Sequence, residues 1–222
     1  MTRVASDAVW TIVVAGGAGR RFGTEKQFEM IGSARVIDRA CAVARQSSDD
    51  IVVVLPTAAT VDEWESDVAV VGGATRSASV RAGLAAVPAA ASIVCVHDAA
   101  RPLATPELFA RVIDAVRGGA DAAIPGVAVT DTIKIVDGVG MVVATPDRST
   151  LVAVQTPQAF RAAALREAHA AGGDDTDDAA LVERRGGRVV TVAGEPWNRK
   201  ITDPDDLDWV RAWLAREAEV GS

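Results

Sequence analysis

Six short runs of the chain are apolar at consecutive positions: WTIVVA at 10–15, IVVVLP at 51–56, VAVVGG at 68–73, SIVCVHD at 92–98, ADAAIPG at 120–126 and RVVTVAG at 188–194. A strand that is apolar throughout, rather than at every second residue, must be covered on both faces. That is the condition of a parallel sheet sandwiched between helices. The segments between the runs carry helical periodicity. Residues 34–47 put Val36, Ile37, Ala40, Val43 and Ala44 on one face, and 79–87 reads as another helix. In 105–118, Thr105 is an N-cap, Pro106 suits the first turn, Glu107 complements the dipole and Gly118 or Gly119 ends the helix. The alternation predicts an α/β fold: a three-layer Rossmann-like sandwich with a mainly parallel sheet, as one domain over 1–222. Ligands of such sheets bind at the carboxyl ends of the strands.

One stretch breaks the pattern. Residues 129–147 alternate with period two around Asp137-Gly138, which predicts a β-hairpin projecting as an arm. Two helices then follow (RAAALREAHAAGG and TDDAALVERRGG), and a terminal helix spans 203–220. There Asp203 is the cap, Pro204 the first residue, and Leu207, Val210, Trp213 and Leu214 share a face.

The net charge of −7 argues against broad nucleic-acid binding, which needs a basic face, but allows a local basic cluster for a small anion. Cys41 and Cys95 fall in a helix and a strand and are expected as buried, reduced thiols. His97 and His169 are the only histidines and neither joins a metal-ligand cluster; His97 is expected to be packed or hydrogen bonded rather than catalytic. The N-terminus lacks an apolar signal core, and no apolar run approaches about 18 residues, so a cytoplasmic protein without a membrane span is expected.

The first run opens into GGAGRRFGTEK. A dinucleotide fingerprint starting at Gly17 needs glycine at 22, where the chain has Phe22. A P-loop from the same start needs Gly-Lys at 22–23, where it has Phe22-Gly23. Both templates fail, yet glycines still let backbone N–H groups approach a phosphate. Arg20, Arg21 and Lys26 add positive charge suited to a triphosphate or to a phosphoryl group under attack. The alternative is a tight turn with solvated arginines. After the fourth run comes VHDAARP. Asp98 at a strand end can hold Mg²⁺ against a triphosphate or simply cap a turn, and Arg101 can reach another anion.

Taken in order, AGGAGRRFGTEKQF, GGATRSASV, VHDAARP, VTDTIK, TPDRSTLVAVQTPQAF, TDDAALV and WNRKITDPDDL resemble the 2-C-methyl-D-erythritol 4-phosphate cytidylyltransferases of non-mevalonate isoprenoid biosynthesis, within the wider nucleotidyltransferase group. The resemblance spans roughly 10–215. It implies transfer of CMP from CTP to methylerythritol 4-phosphate, release of pyrophosphate, and Mg²⁺ as cofactor. It implies that Arg21 and Lys26 are catalytic cations at the α-phosphate. Ala15, Gly16 and Gly19 would form the nucleotide cradle, and Gly73 and Ser79 would contact base and ribose. Asp98 and Arg101 would lie near the metal and the alcohol. Thr132, Arg148, Thr156, Thr176 and Lys200 would lie near the alcohol phosphate, with Lys200 and Arg148 neutralising it. It further implies a homodimer through the hairpin arm, with Thr132, Arg148 and Thr156 serving either their own or the partner's site.

Each of these residues also has a structural reading: a surface lysine, a turn arginine, a strand threonine or a helix cap. Ala74 departs from family members that carry aspartate there, so a base contact at this point falls to the backbone. A phosphate monoester with a second pKa of about 6 is already largely dianionic at pH 7. The attack therefore needs no general base, and the lack of a Ser–His or Cys–His pair is no objection. Two rival readings share much of the pattern: a cytidylyltransferase for ribitol 5-phosphate or another polyol phosphate, and a nucleotide-binding regulatory module without turnover.

Overall fold

A computed structural model describes residues 7–17, 22, 25–64, 67–170, 172–175 and 177–220. The six apolar runs all become strands. The chain runs β1 (Val9–Val14), a small ribbon of β2 (Met30–Ile31) and β3 (Ala34–Arg35), α1 (Val36–Ser47), β4 (Asp50–Leu55), α2 (Ala58–Asp62), β5 (Val68–Val71) and α3 (Arg76–Ala86). It continues through β6 (Ile93–Asp98), α4 (Pro106–Arg117), β7 (Ala122–Ala128), β8 (Ile135–Val136), β9 (Val142–Ala144), β10 (Val152–Val154) and β11 (Gln158–Arg161). Last come α5 (Ala162–Ala170), α6 (Asp178–Arg184), β12 (Val189–Ala193) and α7 (Pro204–Val220).

The main sheet has the order β10-β7-β11-β6-β1-β4-β5, with β12 also paired to β7. The pairs β1–β4, β1–β6, β4–β5 and β7–β12 are parallel. β11 runs antiparallel between β6 and β7, and β10 is antiparallel to β7. Since β6 and β7 are both antiparallel to β11, they point the same way. The carboxyl ends of β1, β4, β5, β6, β7 and β12 therefore share one edge. The sheet is mixed but mostly parallel. The sequence pattern did not reveal β10 and β11, because three and four residues are too few to show a period.

Burial on both faces explains the unbroken apolar runs. Val9 and Val13 of β1 and Ile51, Val53 and Leu55 of β4 pack with Ile37 and Cys41 of α1 and Phe109 and Val112 of α4. Their neighbours Ile12, Val52 and Val54 pack on the other side with Val80 and Leu84 of α3, Leu165 of α5 and Leu181 of α6. A third cluster joins Ile31, Val36, Leu103 and Ile201 to Leu207 and Val210 of α7. On its rim Trp197 stacks on Trp213 at 6.1 Å and Trp213 on Trp209 at 5.3 Å, with the Arg199 guanidinium 4.8 Å from the Trp209 ring. Thr105 and Asp203 cap their helices as expected, accepting from the N–H groups of Leu108 and Asp206.

Cys41 and Cys95 are buried free thiols, and burial pushes both up to about 12. Among the described residues no helix is long and apolar enough to cross a membrane. The arm forms by pairing β8 with β9, but not on a two-residue turn. Asp137 N–H donates to Met141 O at 3.0 Å, and the Asp137 carboxylate accepts from the N–H groups of Val139 and Met141. Gly140 (φ 85°) closes this wider loop. The arm carries its apolar side chains outside: Val139 is 85% and Met141 66% exposed.

Gly83, inside α3, shows how closely that helix lies on the sheet. A Cβ there would fall 2.5 Å from Ile12 Cγ2 and 2.9 Å from Val54 Cγ2. Helix propensity alone favours alanine over glycine by about 1 kcal/mol. Overpacking reverses the sign here, and Gly83→Ala is expected to destabilise the fold by about 1–3 kcal/mol in a denaturant titration.

Candidate active site

Two glycine turns meet at the shared strand edge. Ala15 N–H donates to Val54 O, and Gly72 N–H donates to Leu55 O, both at 2.8 Å, so the turns after β1 and β5 hang on the same strand, β4. A Cβ on Gly16 would lie 3.3 Å from Ser79 Oγ, and one on Gly72 2.9 Å from it. One on Gly73 would strike Ala78 Cβ at 2.4 Å. Gly72 and Gly73 are required for this close approach, and Gly16 leaves only a tight fit. Ser79 fixes the second turn: its Oγ accepts from Gly73 N–H at 3.1 Å and donates to Thr75 O at 3.0 Å. The result is a floor of backbone with little side-chain bulk, which a nucleotide can approach closely.

Asp98 closes β6 beside this floor and is 7% exposed. Its Oδ2 accepts from Lys200 Nζ at 2.6 Å and its Oδ1 from Arg76 Nε at 3.2 Å. Burial alone would raise its carboxyl pKa. The charges of Arg76, then Lys200 and Arg101, hold it well below the usual carboxylate range. Behind it, Asp98 N–H donates to Thr156 Oγ1 at 3.0 Å, and Thr156 Oγ1 lies 3.1 Å from His97 Nδ1. His97 Nε2 lies 3.2 Å from Arg101 O. A carbonyl only accepts, so Nε2 carries the ring proton and Nδ1 accepts from the threonine hydroxyl. His97 is thus a neutral, fully buried strut, packed 5.3 Å from the Phe109 ring. Burial, the dominant influence, pushes it down to about 4.

The loop holding Lys200 is tied to the site from both sides. Ile201 N–H donates to Ala100 O at 2.8 Å, and Lys26 Nζ donates to Ile201 O at 2.6 Å. A cleft of about 530 Å³ opens above these groups. Of the residues singled out in the sequence, Ala15, Gly16, Lys26, Gly73, Ser79, Asp98 and Lys200 line it, as does Ala74.

Others lie elsewhere. Arg101 is turned to backbone, donating to Asn198 O at 2.8 Å and Val154 O at 3.3 Å. Thr156 stands behind Asp98. Thr132 and Arg148 belong to the exposed arm region, where Arg148 Nη1 donates to Thr130 O at 2.5 Å. Gly19, Arg20, Arg21 and Thr176 lie outside the described residues.

Sequence reasoning missed Arg76, which lines the cleft along with Gln27, Thr75 and Thr202. A signal was present: Arg76 opens α3, where the helix dipole disfavours a cation. A residue that breaks a local rule is a candidate for a job outside its own element.

Among the described residues, three cations, one carboxylate and a glycine floor line the cleft, a set that suits a polyanion. Among the described residues no cluster of three or more metal-ligand side chains exists, and Asp98 is the only carboxylate lining the cleft. That donor set fits a divalent cation carried chiefly by the ligand's phosphates, as Mg²⁺ commonly is, rather than one caged by protein.

The family model for 2-C-methyl-D-erythritol 4-phosphate cytidylyltransferase matches residues 9–216. Among curated relatives, the 2-C-methyl-D-erythritol 4-phosphate cytidylyltransferase of Nocardia farcinica is 45% identical, over 96% of this chain and 96% of its own length. That of Rhodococcus jostii is 48% identical, over 95% and 96%. The crystal structure of the Thermus thermophilus enzyme of the same name superposes with a TM-score of 0.80 at 36% identity, covering 95% of this chain and 99% of that one.

The neutral state of His97 has a consequence for stability. Its folded pKa lies below the ordinary value of 6.5, so the unfolded chain binds the proton first as pH falls. Its neutral form costs nothing above about pH 6.5; between there and about pH 4 native stability declines, by about 3 kcal/mol at most for this group. Thermal melts of wild type and His97→Gln across that window check this. Wild type should lose more stability on acidification than the variant.

Proposed function

The chain belongs to the 2-C-methyl-D-erythritol 4-phosphate cytidylyltransferase family, and from that premise we propose a function for its strand-end cleft. It transfers the CMP moiety of CTP to 2-C-methyl-D-erythritol 4-phosphate, giving 4-diphosphocytidyl-2-C-methyl-D-erythritol and pyrophosphate, in isoprenoid precursor synthesis. The observation that carries this reading is the meeting of Lys26 and the Lys200 loop across 175 residues of sequence, beside Asp98 and the glycine floor.

In this reading the triphosphate lies on the backbone of Ala15, Gly16 and Gly19. The base lies against Gly73, Ala74 and Ser79, and with no aspartate at 74 its polar edge is met by backbone. The nucleophile is the dianionic phosphate of the alcohol, so no side chain has to remove a proton. The buried, neutral His97 fits such a scheme, because it is not needed as a base. Arg21 and Lys26 face the α-phosphate and stabilise the charge that builds as the new P–O bond forms and pyrophosphate leaves. One well-placed donor of this kind contributes about 3–4 kcal/mol. Lys200 neutralises the incoming phosphate, leaving Asp98 as it does so. Mg²⁺, held by the triphosphate with Asp98 as its protein carboxylate, supplies further charge neutralisation when bound. The cytoplasm, which supplies CTP, is the setting this reading implies.

The exposed apolar arm supports a homodimer in which each arm lies on the other subunit. Thr132 and Arg148 then serve the partner's cleft, whereas Thr156, fixed behind Asp98, acts in its own subunit.

Pyrophosphate release measured with CTP and methylerythritol 4-phosphate, alongside ribitol 5-phosphate, tests the reaction. Turnover is expected with the first alcohol, with loss on removal of Mg²⁺ by chelator. No pyrophosphate from that pair would sink the proposal. Lys26→Ala should lower kcat by about 10²–10³-fold in a folded protein, whereas a regulatory module would change only in affinity. Shared sites have their own check: a heterodimer of Arg21→Ala and Arg148→Ala subunits should regain activity that neither parent has. A heterodimer as inactive as both parents refutes the sharing.

A further inference from the structure

The ionic chain that reaches Asp98 does not end at the cleft wall. Arg76 donates through Nε to Asp98 and through Nη1 to Asp178 Oδ2 at 2.7 Å. The other oxygen of Asp178 lies 3.0 Å from His169 Nε2. Asp178 is fully buried and His169 is 4% exposed. An ionised carboxylate only accepts, so His169 Nε2 carries its ring proton, and Nδ1 has no hydrogen-bond partner among the described residues. The chain thus links α5, α6, α3, β6 and the Lys200 loop. Asp177, next in sequence, does a local job as the cap of α6, accepting from Ala180 N–H. Asp178 does not; it is directed away from its own helix toward Arg76.

A buried carboxylate is costly unless it is paired, and a cation in the first turn of a helix is disfavoured by the dipole. Each group offsets the other's cost, but stability alone does not require the pair to touch a cleft residue. The Arg111–Glu195 pair, by contrast, involves no residue that lines the cleft. The geometry of Arg76 is informative. Its two edges are used separately: Nε turns to Asp98, and Nη1, on the opposite edge, to Asp178. A guanidinium with a single carboxylate partner prefers a two-pronged fork onto both oxygens. Held by Asp178, Arg76 reaches only Oδ1 of Asp98. Oδ2 is left to Lys200 and the cleft.

We propose that Asp178 is a positioning residue for nucleotidyl transfer: it holds Arg76 side-on, so that Arg76 orients the Asp98 carboxylate and leaves its Oδ2 available to the site. The proposal rests on the cytidylyltransferase reading given above. When an incoming phosphate draws Lys200 off, the vacated oxygen then faces the ligands. Without Asp178 to anchor the opposite edge through Nη1, the guanidinium is free to swing its Nε–Nη2 edge across both oxygens and close them off.

Steady-state kinetics of Asp178→Asn, Asp178→Glu, Arg76→Lys and the double variant Arg76→Lys/Asp178→Asn test this. Asp178→Asn is expected to lose about 10–100-fold in kcat, the size of effect typical of groups that orient a reacting ligand, with KM for CTP little changed. Asp178→Glu, which keeps the charge, should recover much of the loss. The double variant should be no slower than Arg76→Lys, since both act through one contact. Wild-type kcat in Asp178→Asn, or losses that multiply in the double variant, would overturn the proposal. A crystal structure of Asp178→Asn is the check that needs no turnover: Arg76 should fork onto Asp98, and a guanidinium still side-on through Nε alone counts against the idea. Should Asp178→Asn fail to fold, the same two readings are taken from His169→Gln, which loosens Asp178 and should show a smaller loss of the same kind; wild-type kcat there refutes the relay. Wild-type turnover bears on the reaction itself, whereas variant-to-wild-type ratios and the crystal structure bear only on the relay.

Discussion

A negative charge at the end of a buried strand has to be compensated, and much of this fold around the strand edge serves to compensate one. Asp98 meets Arg76 from α3 and Lys200 from the loop after β12, and its own N–H is held by Thr156. Those groups come from parts of the chain that share no local structure. Each is delivered by a separate device. The helix dipole is overridden to seat Arg76, a buried histidine sets the hydroxyl of Thr156, and the Ile201–Ala100 backbone bond fixes the Lys200 loop. Removing Asp98 would take this carboxylate from Lys200 and leave Arg76 to Asp178. Removing any one cation would shift the burden to the others.

The layers of the fold were legible in the sequence because burial on two faces leaves an unmistakable mark. Ile51, Val52, Val53, Val54 and Leu55 are all fully buried, as a strand covered on both faces requires. Thr105 and Asp203 were legible as caps for an equally local reason. β11 was not, since its four residues gain their place from β6 and β7, not from their own pattern. The Asp137-Gly138 turn was legible as a hairpin but not in its detail. The Asp137 side chain takes two backbone N–H groups and widens the loop beyond a tight turn.

The site divides in the same way. Lys26, Asp98 and Lys200 sit in motifs, and they line the cleft. Arg101 and Thr156 sit in motifs too, yet the terminal nitrogens of Arg101 and the hydroxyl of Thr156 are spent on backbone and on His97. A motif marks residues that a site depends on, without separating those that face a ligand from those that hold the wall. Arg76 and Asp178 escaped notice because their partnership spans 102 residues, and the one local signal, a cation in the first turn of α3, does not name its partner. Only the tertiary contact reveals that the carboxylate after the helix cap and the arginine at a helix start belong to one chain of charge.

The tryptophan stack on α7 has a practical meaning as well. The chain has five tryptophans and no tyrosine, so its near-ultraviolet emission comes from indole. Three of those rings, Trp197, Trp209 and Trp213, form one stack, and Trp197 lies three residues before Lys200. Nature has in effect placed a chromophore array at the base of the Lys200 loop. Any shift of that loop against α7 alters ring overlap, and with it the intrinsic fluorescence and near-ultraviolet dichroism, so the protein carries its own optical record of how this wall of the cleft is seated.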